Sequence, residues 1–221
     1  MKNYIIRKVL NEDELSEIKK ILCQLEWRDG LKTVTGIKKD TKNNLETSDA
    51  KINKMIMNSM DRDHLFHSFV IPKSSNSCIL SKMMTGGYYH VHHDSYENGD
   101  YSTTVFLNEP NEYEGGELCL FIDNEEVSIK LNAGEAVTYP TGIFHKVNEI
   151  TSGERIVAVF WTHTTLKDRF MREVYSDVNK ILDLLANHDL KKDVKTLEEA
   201  SSDPYFITRG LLYKINRHFK S

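Results

Sequence analysis

The sequence predicts a mainly β fold with flanking helices, a jelly roll or small barrel covered by elements from both chain ends. Three observations predict it. Between Cys78 and Thr164, short runs of β-forming residues alternate with turn signals at close, regular spacing. The last of these runs, Arg155–Trp161, is apolar on both faces after its first residue, as expected of a strand covered on one side by a second sheet and on the other by helices. Before and after this region the apolar residues recur at helical spacing instead.

Taken in chain order, Asn11 followed by Glu14 forms a capping-box pattern. Leu15, Ile18, Ile21, Leu22 and Leu25 then predict an amphipathic helix over 12–26. Trp27–Thr47 is polar, with Gly30 and Gly36, and is predicted to hold one or two strands and a loop; Lys42, Asn43 and Asn44 are read as solvated loop residues rather than as facing a substrate entrance. Ile52, Met55, Ile56 and Met60 predict a helix over 50–60. Strands are predicted at 78–83, 87–93, 101–108, 117–122, 126–131, 135–139, 143–148 and 154–163, with Gly-, Asn- and Asp-containing turns between them. Phe170, Val174, Val178, Ile181, Leu182 and Leu185 form one stripe of a helix over 166–186, and Leu211, Leu212, Ile215 and Phe219 support another over 207–219. The expected organisation is an N-terminal elaboration at 1–75 packed on the core, a β core at 76–165 and a C-terminal helical extension at 166–221.

Composition narrows the function. With 39% hydrophobic and 28% charged residues the chain reads as an ordinary soluble protein. Neither a signal h-region nor a membrane-length apolar run is present, so a cytoplasmic protein without membrane partners is expected. A net charge of −4 argues against a nucleic-acid partner. Cys23, Cys78 and Cys119 are odd in number and far apart, which predicts reduced, buried thiols rather than disulfides or a thiolate metal site. Composition says nothing about oligomeric state.

The chemistry lies in a few residues. His92 and Asp94 are an i, i+2 pair at a predicted strand end and so project to one side. His145, after the Pro140-Thr141-Gly142 turn, is positioned to supply a third ligand from a neighbouring strand. Two histidines and one carboxylate on one face of an octahedron leave open positions, the arrangement of non-haem iron(II) oxygenases. His90 with His92 offers a competing pair, and His93 should point away from both. Arg155 enters an otherwise apolar strand. Its guanidinium suits the distal carboxylate of a five-carbon diacid, or else a structural ion pair.

Together, HVHHD (90–94), YSTTVFLNEPNEYEGGEL (101–118), YPTGIFHKV (139–147) and ERIVAVFW (154–161) resemble the PKHD-type hydroxylases, relatives of the prolyl 4-hydroxylases among the iron(II)/2-oxoglutarate dioxygenases. WRDGLKTVTG with KNN (27–44) and GLLYKINRHF (210–219) extend the likeness over almost the whole chain. The resemblance implies a double-stranded β-helix, iron(II), 2-oxoglutarate as cosubstrate and ascorbate as reductant. It also implies hydroxylation of an unactivated C–H bond, with succinate and CO2 as co-products. The substrate would be a prolyl residue of a protein or peptide, or else a small molecule. His92, Asp94 and His145 match the family's metal ligands, and Arg155 its 2-oxoglutarate-binding residue. One departure stands out. Where the family carries a tyrosine able to bond the cosubstrate, this chain has Met83, leaving Tyr89 or Thr104 as alternative donors. Trp161, six residues past Arg155, should share its face and wall the pocket, chiefly by packing. Two other readings share these residues: a cupin-like metal-containing binding or sensor module without redox turnover, which has no need of a diacid clamp, and an oxygenase of alkylated nucleic acid, which typically carries a second arginine and a basic face.

Overall fold

The computed structural model describes residues 3–33, 41–187, 196 and 203–219. Gly36, within 34–40, and the side chain of Phe219 lie outside that set. In chain order the strands are β1 (Ile5–Lys8), β2 (Arg28–Asp29), β3 (Lys42–Asn43), β4 (Leu45–Thr47), β5 (Pro72–Ser75), β6 (Ile79–Met84), β7 (Tyr88–His92), β8 (Tyr101–Phe106), β9 (Tyr113–Gly115), β10 (Leu118–Ile122), β11 (Glu125–Ile129), β12 (Glu135–Pro140), β13 (His145–Val147) and β14 (Ile150–Thr164). The helices are α1 (Glu12–Leu22), α2 (Ala50–Asp61), α3 (His64–Val70), α4 (Arg169–Asn187) and α5 (Pro204–Phe219).

The strands form two sheets. One runs β1-β12-β8-β14-β6-β4-β2, with β5 and β9 joined off that path, and the other runs β11-β10-β13-β7-β3. Of the two expected forms, the jelly roll and the small barrel, the strands take the first: no closed barrel forms among the described residues, and the two sheets keep separate strand orders. Both contribute to one apolar cluster: Met83, Phe106, Tyr113, Val137, Tyr139 and Val157 from the first, and Leu118, Leu120, Ile129 and Val147 from the second. β14 is buried at nearly every position from Arg155 to Phe160, as its two-sided apolarity requires. The strands β1 and β4, from the first 75 residues, extend the larger sheet, and β3 extends the smaller one.

The residues divide into two compact units, 1–63 with 74–163 and 64–73 with 164–221. In the first, α1 begins with the capping box read from the sequence: Asn11 Oδ1 accepts from Glu14 N at 2.8 Å and Glu14 Oε2 from Asn11 N at 3.0 Å. The helix ends at Leu22, four residues early, because Gln24 N bonds to Ile21 O and Leu25 N to Leu22 O, tightening the chain out of the α repeat. Cys23 is therefore exposed rather than buried, while Cys78 and Cys119 are buried, and all three are free thiols. The loop expected around Lys42 is also corrected. Lys42 and Asn44 are buried, and Lys42 Nζ pairs with Glu46 at 2.6 Å.

In the second unit, α4 and α5 pack Val178 and Ile215 with Ile71 and Leu166, flanked by Met171, Val174, Tyr175 and Leu212. Phe170 and Ile181, assigned to the same stripe by spacing, are exposed. The buried face runs through 171, 174, 175 and 178, rotated from the stripe drawn through Phe170 and Ile181. The helix α3 and strand β5 were not anticipated. Among the described residues no helix is long and apolar enough to cross a membrane.

Candidate metal and cosubstrate site

Register brings the three candidate ligands together. β7 and β13 pair antiparallel with His92 opposite His145, and their rings lie 4.2 Å apart between centroids. Asp94 follows just past the end of β7. Its carboxylate oxygens lie 3.8 Å from His92 Nε2 and 3.8 Å from His145 Nε2, and the three ligand atoms are all within 4.8 Å of one another. These atoms are close enough to converge on one cation, and two imidazoles with one carboxylate is the donor set suited to iron(II) with open positions.

The protein holds these side chains by their outer atoms. His92 Nδ1 is 2.8 Å from His90 O and His145 Nδ1 is 2.9 Å from Ile143 O, in each case the carbonyl two residues earlier. A backbone carbonyl requires Nδ1–H, so Nε2 keeps its lone pair for a metal. Burial and the neighbouring His145 ring push the His92 pKa down to about 4, so that imidazole is neutral at ordinary pH. Asp94 Oδ2 accepts from Ser102 Oγ at 2.7 Å and from Trp161 Nε1 at 2.9 Å. Ser102 is fully buried on β8, and Thr141 Oγ1 lies 3.2 Å from its hydroxyl.

Tyr89 stacks on His92, with ring centroids 3.6 Å apart, and burial followed by the charges of Asp94 and Glu46 raises its pKa to about 12. Trp161, placed by spacing as a packing wall, is half-buried and bonded to Asp94. Thr104 is buried on β8 and interacts with the Tyr139 hydroxyl. His90 and His93 are exposed and outside the cluster: His90 lies against Tyr88 and His93 against Phe144.

Arg155 is 2% exposed, with its guanidinium 5.2 Å above the Phe106 ring. No carboxylate among the described residues forms an ion pair with it, and its Nε is buried without a hydrogen-bond partner. Burial lowers its pKa, against which the phenols of Tyr113 and Tyr139 act first and Glu117 more weakly. Tyr139 links the two ends of the site. It is fully buried, its ring lies 5.3 Å from His145, and its hydroxyl is electrostatically coupled to both Asp94 and Arg155. A buried cation with no ion pair among the described residues, and only the weaker influence of the Glu117 carboxylate against its burial, calls for an anionic ligand.

Sequence reasoning missed Ser102, Tyr113, Tyr139 and Thr141. One signal was available for Ser102, because it shares strand parity with Thr104. Tyr139 and Thr141 stand in the YPTG turn already singled out, but their facing depends on the pairing of Tyr139 with Ser102.

Residues 78–163 match the family described as the 2OG-Fe(II) oxygenase superfamily. A PKHD-type hydroxylase of Prochlorococcus marinus (strain MIT 9301) is 32% identical over 214 residues, which span 91% of this chain and 96% of that protein. Among solved structures, a Pseudomonas putida prolyl-4-hydroxylase superposes with a TM-score of 0.57 at 19% identity, over 73% of this chain and 92% of that chain. A prolyl hydroxylase from Trichoplax adhaerens, in complex with a hypoxia inducible factor oxygen degradation domain peptide fragment, gives 0.60 at 13% identity, over 72% and 83%. These structural likenesses establish the fold as the double-stranded β-helix. The identity held along nearly the full length of both chains establishes the family: this protein belongs to the PKHD-type hydroxylases, dioxygenases dependent on iron(II) and 2-oxoglutarate.

Proposed function

We propose that His92, Asp94 and His145 hold iron(II), that Arg155 receives the distal carboxylate of 2-oxoglutarate, and that the enzyme hydroxylates a prolyl residue of a peptide or protein. The observation carrying the assignment is Arg155: a 2%-exposed guanidinium with no ion-pair partner among the described residues, near Tyr139, whose ring lies 5.3 Å from that of His145. A sensor for an unrelated ligand would gain nothing from burying that charge. Bound iron and 2-oxoglutarate would supply the oxidising chemistry, with succinate and CO2 as co-products. The chain's own residues hold Nε2 of each histidine free, fix Asp94 through Ser102 and Trp161, and exclude water around the guanidinium.

The peptide substrate is supported by the two prolyl hydroxylases of like fold, one of them holding a peptide fragment. It is supported too by the exposed, largely apolar side chains of Val91, Tyr96 and Phe144, which are neighbours in sequence of the candidate ligands. Ascorbate would serve as reductant, and three free thiols suit a cytoplasmic setting. The test is succinate release with iron(II), 2-oxoglutarate and oxygen against a panel of prolyl peptides, with the oxidised residue located by mass spectrometry. Stimulation by a prolyl peptide and a gain of one oxygen on proline are expected. Turnover that no prolyl peptide stimulates would reject the substrate class, and an absence of succinate under every condition would reject the chemistry.

A further inference from the structure

We infer that Tyr113 is a second cosubstrate-binding residue, donating its hydroxyl to the distal carboxylate of 2-oxoglutarate beside Arg155. The inference rests on the proposed role of Arg155 and adds a donor beside it.

Three observations converge. Met83 on β6 is the direct cross-strand partner of Arg155 on β14, so the neighbouring strand on that side presents this arginine with a thioether that cannot donate. Tyr113, on β9, approaches the same guanidinium from another strand that pairs with β14. It is 3% exposed and its oxygen lies against the Arg155 guanidinium, able only to accept from it, while neither the phenol O–H nor Arg155 Nε–H finds an acceptor among the described residues. One unmade bond of this kind costs about 1–3 kcal/mol, so two unmade donors side by side mark a place where one acceptor group completes both.

The surroundings fit an anion. Lys130 Nζ lies 4.2 Å above the Tyr113 ring and donates to Tyr113 O at 2.8 Å, adding positive charge behind the phenol. Gly116 makes room for the approach. A Cβ there would lie 3.1 Å from both Arg155 Cδ and Tyr113 Cε2 and 2.3 Å from Ile150 Cδ1, and its φ of +71° favours glycine. Tyr139, the other phenol near Arg155, is already engaged with Thr104, and Tyr89 is stacked on His92 at the metal end. Tyr113 alone of the three has a buried hydroxyl whose proton finds no acceptor among the described residues, its oxygen facing only the Arg155 guanidinium.

The test is calorimetric binding of 2-oxoglutarate, and of 2-oxobutyrate as an oxoacid without the distal carboxylate, to manganese(II)-loaded protein. Tyr113→Phe should weaken 2-oxoglutarate binding about 10- to 100-fold, the scale of a hydrogen bond to a charged group, and leave 2-oxobutyrate unchanged. Unchanged 2-oxoglutarate affinity in Tyr113→Phe, while Arg155→Met loses it, would overturn the role of Tyr113 alone. Failure of the wild-type protein to bind 2-oxoglutarate would overturn the underlying assignment instead. Should Tyr113→Phe not fold, 3-fluorotyrosine at position 113 keeps the hydroxyl. Its fluorine resonance should shift with 2-oxoglutarate and not with 2-oxobutyrate, and the same response to both would overturn the inference.

Discussion

The metal end and the arginine end of this site are built on opposite principles. Around His92, Asp94 and His145 the outer polar atoms are satisfied by the protein: two backbone carbonyls, a serine hydroxyl and an indole N–H. Around Arg155 they are not, and neither its Nε–H nor the O–H of the neighbouring Tyr113 finds an acceptor among the described residues. The first end is pre-organised, so that a cation finds its ligands already oriented. The second carries a charge with no ion pair among the described residues, which under the proposed assignment the cosubstrate carboxylate would complete. Substitutions at the two ends should therefore act differently on the apo fold as well as on activity.

The largest effect belongs to the metal end. Asp94→Ala removes the only carboxylate of the cluster and the acceptor for both Ser102 and Trp161. Bound iron and succinate formation should each fall by more than about 100-fold, beyond the range seen for loss of an outer partner. Iron content and succinate assays check this. Retention of both would break the assignment of Asp94.

Arg155→Met is next and sharpens the contrast. Loss of the charge paired with a bound carboxylate should weaken 2-oxoglutarate by about 2–5 kcal/mol, read as a raised Kd. The apo protein should become more stable, by about 1–3 kcal/mol, because a desolvated cation without an ion pair is replaced by an apolar chain. Chemical denaturation measures the second half. A loss of apo stability would indicate that Arg155 is a structural residue after all.

A pH effect separates the ends without mutation. The His92 pKa lies near 4 in the fold against 6.5 for the free side chain, so the native state binds fewer protons between those values. The stability this group contributes is complete above about pH 6.5 and is lost as pH falls toward 4. The loss should be about 2 kcal/mol once the partly exposed ring is allowed for. Urea titrations of the apo protein at pH 7 and pH 4.5 should show it. In His92→Gln that share of the pH dependence should vanish.

The same contrast governs what could be read from the sequence. The strands were legible because the alternating period and glycine turns are local signals, and His92 and Asp94 because i, i+2 residues share a face in any strand. His145 was legible as a candidate, but its pairing with His92 is a fact of register between strands distant in sequence. The hydroxyl groups escaped. Ser102, Thr141 and Tyr139 have ordinary uses in β-sheets, and nothing local distinguishes one that faces a carboxylate. The early end of α1 escaped because Leu25 kept the helical spacing while the backbone left it. The rotated face of α4 followed from contacts with Ile71 and Leu166, which its own spacing does not contain.

Trp161 gives the smallest and most discriminating effect. Trp161→Phe keeps an aromatic ring and removes a single donor from Asp94 Oδ2, while Ser102 still holds the same oxygen at 2.7 Å. One of two outer bonds lost should cost about 10-fold in metal affinity, the lower end of the range for such partners. Trp161 lies on β14 with Arg155, so a disturbance of the whole strand would weaken 2-oxoglutarate binding as well. An effect confined to the metal, with 2-oxoglutarate Kd unchanged at saturating manganese(II), would show that one strand serves two separable functions. Equal losses of both would show that the two ends of the site are mechanically joined, and that the division drawn between them is wrong.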